Sequence, residues 1–170
     1  MVSKVDRWST LKQLLSFPDP VNEVAARTVA AGVAVLTMVT LVSRSPWPLL
    51  VLAFGFVARV LTGPTLSPLG RFATQVAAPR IGHAKLVPGP PKRFAQGIGT
   101  TLSVGAVVAY FAGAPIVAWV LVAMILVAAT LESVFAACIG CAVFGWLMRV
   151  GFIPESVCEA CNNLQLHQPT

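Results

Sequence analysis

Long apolar runs separated by short polar segments dominate the pattern along this chain. Four of them are candidates for helices that cross the roughly 30 Å hydrocarbon core of a bilayer. They lie at residues 24–42, 47–61, 94–111 and 116–136. The pattern predicts an all-α integral membrane protein built as a four-transmembrane-helix bundle.

The segment before the first run has a different periodicity. Its apolar residues recur at spacings of three and four with basic residues between them, which predicts an amphipathic helix lying on the membrane surface at residues 1–18. Asp19 is then expected as the N-cap of the first membrane helix, with Pro20 at its first position. The predicted organisation is this interfacial helix, a membrane domain at 19–149 with a cytoplasmic loop at 62–93, and a cytoplasmic tail at 150–170.

Composition agrees with a membrane location, and charge adds an orientation. Hydrophobic residues make up 56% of the chain and charged residues 11%, with a net charge of +6. With four spans, every Lys and Arg except Arg44 falls on or near the side that holds both termini. Because basic residues are retained in the cytoplasm, both termini are predicted to be cytoplasmic. The basic residues are dispersed and lack interleaved aromatics, which argues against nucleic-acid binding.

Two ionisable residues are the most clearly placed within the predicted spans, where charge is costly unless it has a partner or a function, whereas Arg27 near the start of the first span is expected to be interfacial. Arg59 lies near the inner end of the second span and Glu132 near the inner end of the fourth. Because the two share a depth, we predict an intramembrane ion pair between them. A proton-handling or substrate-binding role for Glu132 is the alternative.

A stripe of small residues follows one face of the third span. It consists of Gly97, Thr101, Gly105 and Ala109, which repeat every four residues. Small residues allow close helix approach in membranes. The stripe is predicted to pack inside the bundle, with a dimer interface as the alternative.

Four cysteines form two pairs, Cys138 with Cys141 and Cys158 with Cys161. The spacing C-x2-C-x16-C-x2-C matches a four-thiolate zinc site, so zinc is a possible cofactor. Alternatively, one or both pairs cycle between dithiol and disulfide with a partner protein or a quinone. In a third interpretation, the cysteines are small buried hydrophobic residues. A permanent disulfide is disfavoured on the cytoplasmic side.

The redox interpretation makes a structural prediction about the first pair. A continuous helix from 116 to 148 would be about 50 Å long, so a break is expected near Ala136, with a short helix restarting close to Cys138. A CxxC pair at a helix N-terminus gains a lowered thiol pKa. The acidic residues Glu155 and Glu159 beside the second pair oppose thiolate formation, which makes Cys138 and Cys141 the preferred working dithiol and Cys158 and Cys161 a secondary one.

Several segments resemble the bacterial membrane family known as domain of unknown function 4395. They are Arg-Val-Leu-Thr-Gly-Pro from Arg59, Pro-Pro-Lys-Arg-Phe-Ala-Gln-Gly from Pro90, and Leu131-Glu132 leading into the first cysteine pair. The resemblance covers about 17–149, and the CxxC tail resembles an extension of actinobacterial members. It implies four spans in the bacterial plasma membrane but no established activity. Thioredoxin-like proteins and sulfurtransferases are associated with the family, which makes them possible partners.

Two hypotheses for function follow. The first is a thiol-disulfide or sulfur-handling protein that acts through Cys138 and Cys141 at the cytoplasmic face. The second is a non-enzymatic accessory subunit of a larger membrane complex, whose four cysteines bind zinc or are simply structural. The sequence does not distinguish an enzyme from a non-enzymatic protein.

Overall fold

The structure, a computed structural model, describes residues 19–63, 67–81 and 85–154. Along the chain the elements are β1 (Val21–Asn22), α1 (Glu23–Ser43), α2 (Pro46–Thr62), α3 (Pro68–Phe72), a π-helical turn (Ala73–Ala77), α4 (Ala78–Ile81), β2 (Leu86–Val87), α5 (Gly89–Phe111), α6 (Pro115–Phe135) and α7 (Ile139–Arg149). The all-α prediction is confirmed, and β1 and β2 add only a two-residue antiparallel pairing.

Three of the helices, α1, α5 and α6, are long and apolar enough to cross a membrane. Helix α2 has 17 residues and α7 has 11, and both are shorter apolar helices. Many large apolar side chains on the outer helix faces are exposed, including Val42, Trp47 and Ile116. Such a surface is suited to contact with lipid and not with water.

Helices α1, α2, α5 and α6 form a ring in which α1 packs against α2 and α6, and α5 packs against the same two helices. Arg27 near the start of α1 bonds to Ser133 near the end of α6. Arg59 near the end of α2 bonds to Gln96 near the start of α5. Neighbouring helices in these pairs therefore run antiparallel, and one end of the bundle holds the start of α1 and α5 and the end of α2 and α6.

The first membrane helix begins later than the sequence predicted. Its N-cap is Asn22, whose Oδ1 accepts a hydrogen bond from the Val24 amide at 2.9 Å. Residues 21 and 22 pair with β2 instead of forming a helical turn. Asp19 Oδ1 accepts a hydrogen bond from the Gly89 amide at 3.0 Å, so it provides a partner for the first amide of α5. The prediction of Asp19 as the cap of the first helix was wrong because a distant strand competes for this segment.

Helix α5 also starts earlier than expected. The predicted loop was to continue to residue 93, yet Gly89 is the first residue of the helix. Prolines are tolerated in a first turn because the amides there have no intrahelical partner. Pro90 and Pro91 therefore open the helix instead of ending the loop. As a result, Lys92 lies on a helix within the bundle.

The predicted small-residue stripe packs inside the bundle only in its second half, where Ala109 lies against a core cluster and a Cβ at Gly105 would lie 3.6 Å from Leu121. In α5 the buried small residues are Gly99, Ser103 and Ala106. A side chain at Gly99 would overlap the ring of Phe56 on α2. In contrast, a Cβ at Gly97 would meet nothing within 4 Å, and Thr101 is exposed. The most buried face of α5 is thus rotated from the one that the predicted stripe indicated.

Candidate functional site

The chain breaks between α6 and α7. Ala136 adopts a left-handed conformation with φ 56°, which ends α6. The amides of Ala136 and Ala137 both donate to the carbonyl of Leu131. Cys138 then has an extended backbone and is the N-cap of α7. The expected break near Ala136 and the helix restart at Cys138 are confirmed.

Arg27 holds the end of α6 in place. Its guanidinium donates to the carbonyl of Ser133 from Nε at 3.2 Å and from Nη2 at 3.0 Å, and Nη2 also reaches the carbonyl of Val134 at 3.2 Å. Carbonyls in the last turn of a helix have no intrahelical donor. Arg27 therefore ties the chain just before the break to α1.

The two thiols of the first pair are adjacent. Cys138 Sγ accepts a hydrogen bond from the Cys141 amide at 3.3 Å, which is the bond of a capping side chain. The Cys141 thiol donates to the same sulfur, with 2.6 Å between the two Sγ atoms. Both residues are free cysteines and half-buried. The turn at the start of α7 thus presents a preformed dithiol.

The two thiols differ in acidity. The hydrogen bond from Cys141 lowers the pKa of Cys138, and the positive charge of Lys92 acts in the same direction against burial and the charge of Glu132. The same bond, followed by burial, raises the pKa of Cys141, because ionisation would remove its donor. Cys138 is therefore the thiol that ionises more readily, and the thiolate is the reactive form of a cysteine.

A charged pair lies beside this dithiol. Lys92 Nζ on α5 is 2.6 Å from Glu132 Oε1 on α6. Their side chains are only 12% and 17% exposed, so the pair is largely removed from solvent. Lys92 and Glu132 act on the Cys138 thiol with opposite sign. The site therefore combines two thiols with an acid and a base.

Helix α7 approaches α5 closely where it carries the dithiol. Gly140 is buried, and a Cβ there would lie 2.5 Å from both Cα and Cβ of Ala95. One helical turn further, the rings of Phe144 and Phe94 pack with centroids 5.6 Å apart. The glycine between the cysteines is thus required by the contact with α5.

Cys138 borders an open space in the bundle. A cavity of about 190 Å³ is lined mainly by apolar residues of α1, α5 and α6, together with Cys138, Glu132 and Gln96. An apolar cavity of about 150 Å³ is known to admit benzene. Cys138 therefore borders a space large enough to hold a small molecule.

One known family matches this chain. Its sequence profile covers residues 21–149, which is most of the length, and it is described as a domain of unknown function (DUF4395). The chain belongs to the DUF4395 family. The resemblance to this family is thereby confirmed for residues 21–149. The DUF4395 region contains the first cysteine pair but stops before the second. No curated protein and no solved structure matches the chain.

Within the DUF4395 domain, Arg59 and Glu132 have partners other than the predicted ones. Glu132 is paired with Lys92. Arg59 instead donates from Nε to Gln96 Oε1 at 3.1 Å and from Nη1 to Ser67 Oγ at 3.4 Å. The predicted Arg59–Glu132 ion pair is not formed, because the first turns of α5 place Lys92 and Gln96 beside these two residues.

The second cysteine pair, Cys158 and Cys161, lies outside the described residues, as does the predicted interfacial helix at 1–18. Among the residues that the structure does describe, no group of three or more His, Cys, Asp or Glu side chains is arranged to hold a metal ion. The four-thiolate zinc site with Cys138 and Cys141 therefore stays a prediction.

Sequence reasoning missed three contributors to this end of the bundle: Arg27, Lys92 and Gln96. Lys92 and Gln96 are four residues apart, which places them on one helix face once the helix is known to begin at Gly89. Both belong to the stretch that carries the strongest DUF4395 resemblance, and this was the available signal. Arg27 gave none, because its partners are backbone carbonyls.

Proposed function

We propose that this DUF4395 protein is a multi-pass protein of the bacterial plasma membrane that exchanges thiols and disulfides through Cys138 and Cys141. The observation that carries the proposal is the pair of sulfurs 2.6 Å apart at the N-cap of α7, with opposite shifts in pKa. A purely structural pair of cysteines does not require two thiols of different acidity, a neighbouring cavity and a buried ion pair beside it.

In this proposal α2 is the fourth transmembrane helix. Its 17 residues give a length of about 26 Å, close to the roughly 30 Å hydrocarbon core. The antiparallel arrangement of the long helices supports an even number of crossings. Because the basic residues gather at one end, that end and both termini are assigned to the cytoplasm. The dithiol is then in a reducing compartment, where it would start a cycle in the thiol form.

The exchange has two steps. The Cys138 thiolate attacks one sulfur of a protein disulfide, so a mixed disulfide forms and the other sulfur of the partner leaves as a thiolate. Cys141 then loses its proton and attacks Cys138 Sγ, which releases the second partner sulfur. The partner disulfide gains two electrons and the two dithiol protons, and a Cys138–Cys141 disulfide remains.

Glu132 is positioned to help the second step. Cys141 must be deprotonated as it attacks, and its raised pKa makes this the demanding proton transfer. Glu132 and Lys92 are the charged residues that act on both thiols. A thioredoxin-like protein or a sulfurtransferase has the matching chemistry for a partner.

Trapping of mixed disulfides tests the proposal. In cells that express the full chain, Cys141→Ser should accumulate a disulfide-linked adduct through Cys138, because the resolving thiol is missing. Cys138→Ser should form no adduct. The double variant Cys158→Ser/Cys161→Ser is the matched control and should leave trapping through Cys138 unchanged in a Cys141→Ser background.

Two results would overturn the proposal. One is that Cys138 and Cys141 stay fully reduced under an oxidant load that oxidises other membrane dithiols. The other is about one zinc per purified chain that is lost on replacing Cys158 and Cys161, because four ligated thiolates are unavailable for exchange. A membrane-impermeant maleimide that labels Cys138 only after permeabilisation would support the cytoplasmic orientation.

A further inference from the structure

Arg59 is a buried cation that has no counter-ion among the described residues. Its residue exposure is 5%, and no Asp or Glu oxygen of the described residues lies within 4.0 Å of its guanidinium. A buried charge is costly unless it is paired, because its hydration is lost. The Arg59–Gln96 and Arg59–Ser67 bonds supply neutral acceptors only. The ring of Phe56, 4.6 Å from Cζ, covers one face of the group.

One guanidinium nitrogen is also unused. Nη2 is buried and has no hydrogen-bond partner in the described structure. It carries two N–H donors, and a buried donor left unpaired costs free energy. Both the charge and the donor of Arg59 therefore call for an acceptor that carries negative charge.

The space next to Arg59 has the size and lining for such an acceptor. A cavity of about 190 Å³ is bordered by Arg59, Lys92, Gln96 and Thr74 among its polar residues, and by Ala25, Ala26 and Val29 of α1 on the apolar side. Exposed Pro20 also lines it, so it opens to the outside. Neither cysteine of the dithiol lines this cavity.

The charges at this cavity leave an excess of one positive charge. Lys92 is balanced by Glu132, whereas Arg59 is unbalanced among the described residues. An oxyanion with a single negative charge would restore neutrality. Guanidinium groups bind carboxylate and phosphate oxygens through charge-assisted hydrogen bonds. The apolar wall on α1 would contact a hydrocarbon part of the same ligand.

We infer that the cavity between α1, α2 and α5 is a binding site for an oxyanion, a carboxylate or a phosphate, that carries an apolar body. The guanidinium of Arg59 binds the anionic oxygen, and Lys92 adds a second positive charge at the same end. The ligand is either a soluble organic anion or the headgroup of an anionic lipid. The inference needs neither thiol and goes beyond the proposed exchange chemistry.

Thermal unfolding of the purified full chain tests the site with three probes. They are butyrate, inorganic phosphate, and mixed micelles that contain phosphatidylglycerol or, for comparison, phosphatidylcholine. A ligand that binds only the folded protein raises the unfolding midpoint with increasing concentration. We expect such a rise with at least one anionic probe. A rise with butyrate or phosphate identifies a soluble anion, and one with phosphatidylglycerol alone identifies a lipid headgroup.

Two variants and a control test whether the rise in the unfolding midpoint comes from binding in this cavity. Arg59→Met should abolish the rise, and Arg93→Met, which removes an exposed cation from the same end, should keep it. Ala26→Met fills the cavity from its apolar wall without touching a charge and should weaken the rise, which keeps the test valid if Arg59→Met does not fold. The inference is overturned if no probe raises the wild-type midpoint, or if the rise survives in both Arg59→Met and Ala26→Met.

Discussion

Lys92 Nζ lies 2.6 Å from Glu132 Oε1 and joins the first turns of α5 to the last turn of α6. The pair lies at the end of the bundle where the dithiol is held, and both of its members act on the Cys138 thiol. Because both side chains are largely buried, the pair is more consequential than a surface ion pair. Removing one member would leave the other charged in a poorly hydrated place.

Glu132→Gln is expected to destabilise the protein by about 2–3 kcal/mol, somewhat less than the loss of one member of a fully buried pair. The matched control is Glu23→Gln. Its partner Lys85 is 74% exposed, so its loss should cost less than about 1 kcal/mol. Reversible unfolding in detergent micelles measures both values. Equal stability of the two variants would contradict the importance assigned to the Lys92–Glu132 pair.

Alkylation rates should separate the two thiols. Because the pKa of Cys138 is lowered and that of Cys141 is raised, Cys138 is thiolate at a lower pH and should react first with iodoacetamide. The rate at Cys138 should rise with pH through a value below the ordinary thiol pKa of about 8.5. Peptide mass spectrometry between about pH 6 and pH 10 measures both rates. Faster reaction at Cys141 would reverse the assigned roles.

Replacing Lys92 and replacing Glu132 should shift the pH dependence of Cys138 alkylation in opposite directions. Lys92→Met removes a charge that favours the Cys138 thiolate, so the pKa of Cys138 should rise. Glu132→Gln removes a charge that opposes it, so the pKa should fall. Arg93→Met removes an exposed cation from the same turn and should leave the profile unchanged. A shift of the same sign in the first two variants would show that they act through unfolding and not through charge.

The glycine inside the CxxC pair offers a paired substitution. Gly140→Ala places a Cβ 2.5 Å from Ala95 and should force α7 away from α5 at a cost of about 1–3 kcal/mol. Gly145→Ala on the same helix meets nothing within 4 Å and should be neutral or stabilising by up to about 1 kcal/mol. Unfolding measurements and the access of a polar maleimide to Cys141 test both. If the two variants behave alike, the close approach of α7 to α5 is wrong.

The helical class and the break before the dithiol were predictable because they depend on local properties. Apolar run length indicates spans, and a helix of about 50 Å between Pro115 and Met148 would exceed the bilayer core. The partner of each buried charge was not predictable in this way. Arg59 and Glu132 were matched by depth alone. Lys92 and the residues from Gly89 onward were assigned to a loop, but they form the start of the helix that lies between α2 and α6.

The unexpected packing face of α5 has a similar physical origin. Small residues that recur every four positions show which side of a helix leaves room for a neighbour. The side that is most closely packed is set by the neighbour itself, and here the ring of Phe56 fits against Gly99. The N-cap prediction for Asp19 was wrong for a related reason, because a distant part of the chain decided where that side chain bonds. Asp19 has the right chemistry for an N-cap, and it caps α5 because β1 and β2 bring it to Gly89.

Arg27 is expected to keep the backbone just before the dithiol in a fixed conformation. Its guanidinium binds the carbonyls of Ser133 and Val134, and the amide of Ala137 next to them is held by Leu131. Arg27→Ala should cost about 1 kcal/mol, because the side chain is exposed and charge-assisted bonds to carbonyls are then worth less than about 1.5–3 kcal/mol.

The more specific effect of Arg27→Ala is local. Hydrogen exchange at the amides of Ala136 and Ala137 should become faster, since the end of α6 loses its connection to α1. Arg27→Lys should restore little, because an ammonium group cannot bind two neighbouring carbonyls in the geometry of the guanidinium fork. Arg71→Ala, which removes an exposed arginine of α3, is the control and should leave these amides unchanged. Unchanged exchange in Arg27→Ala would mean that the backbone conformation at Ala136 alone holds the break in place.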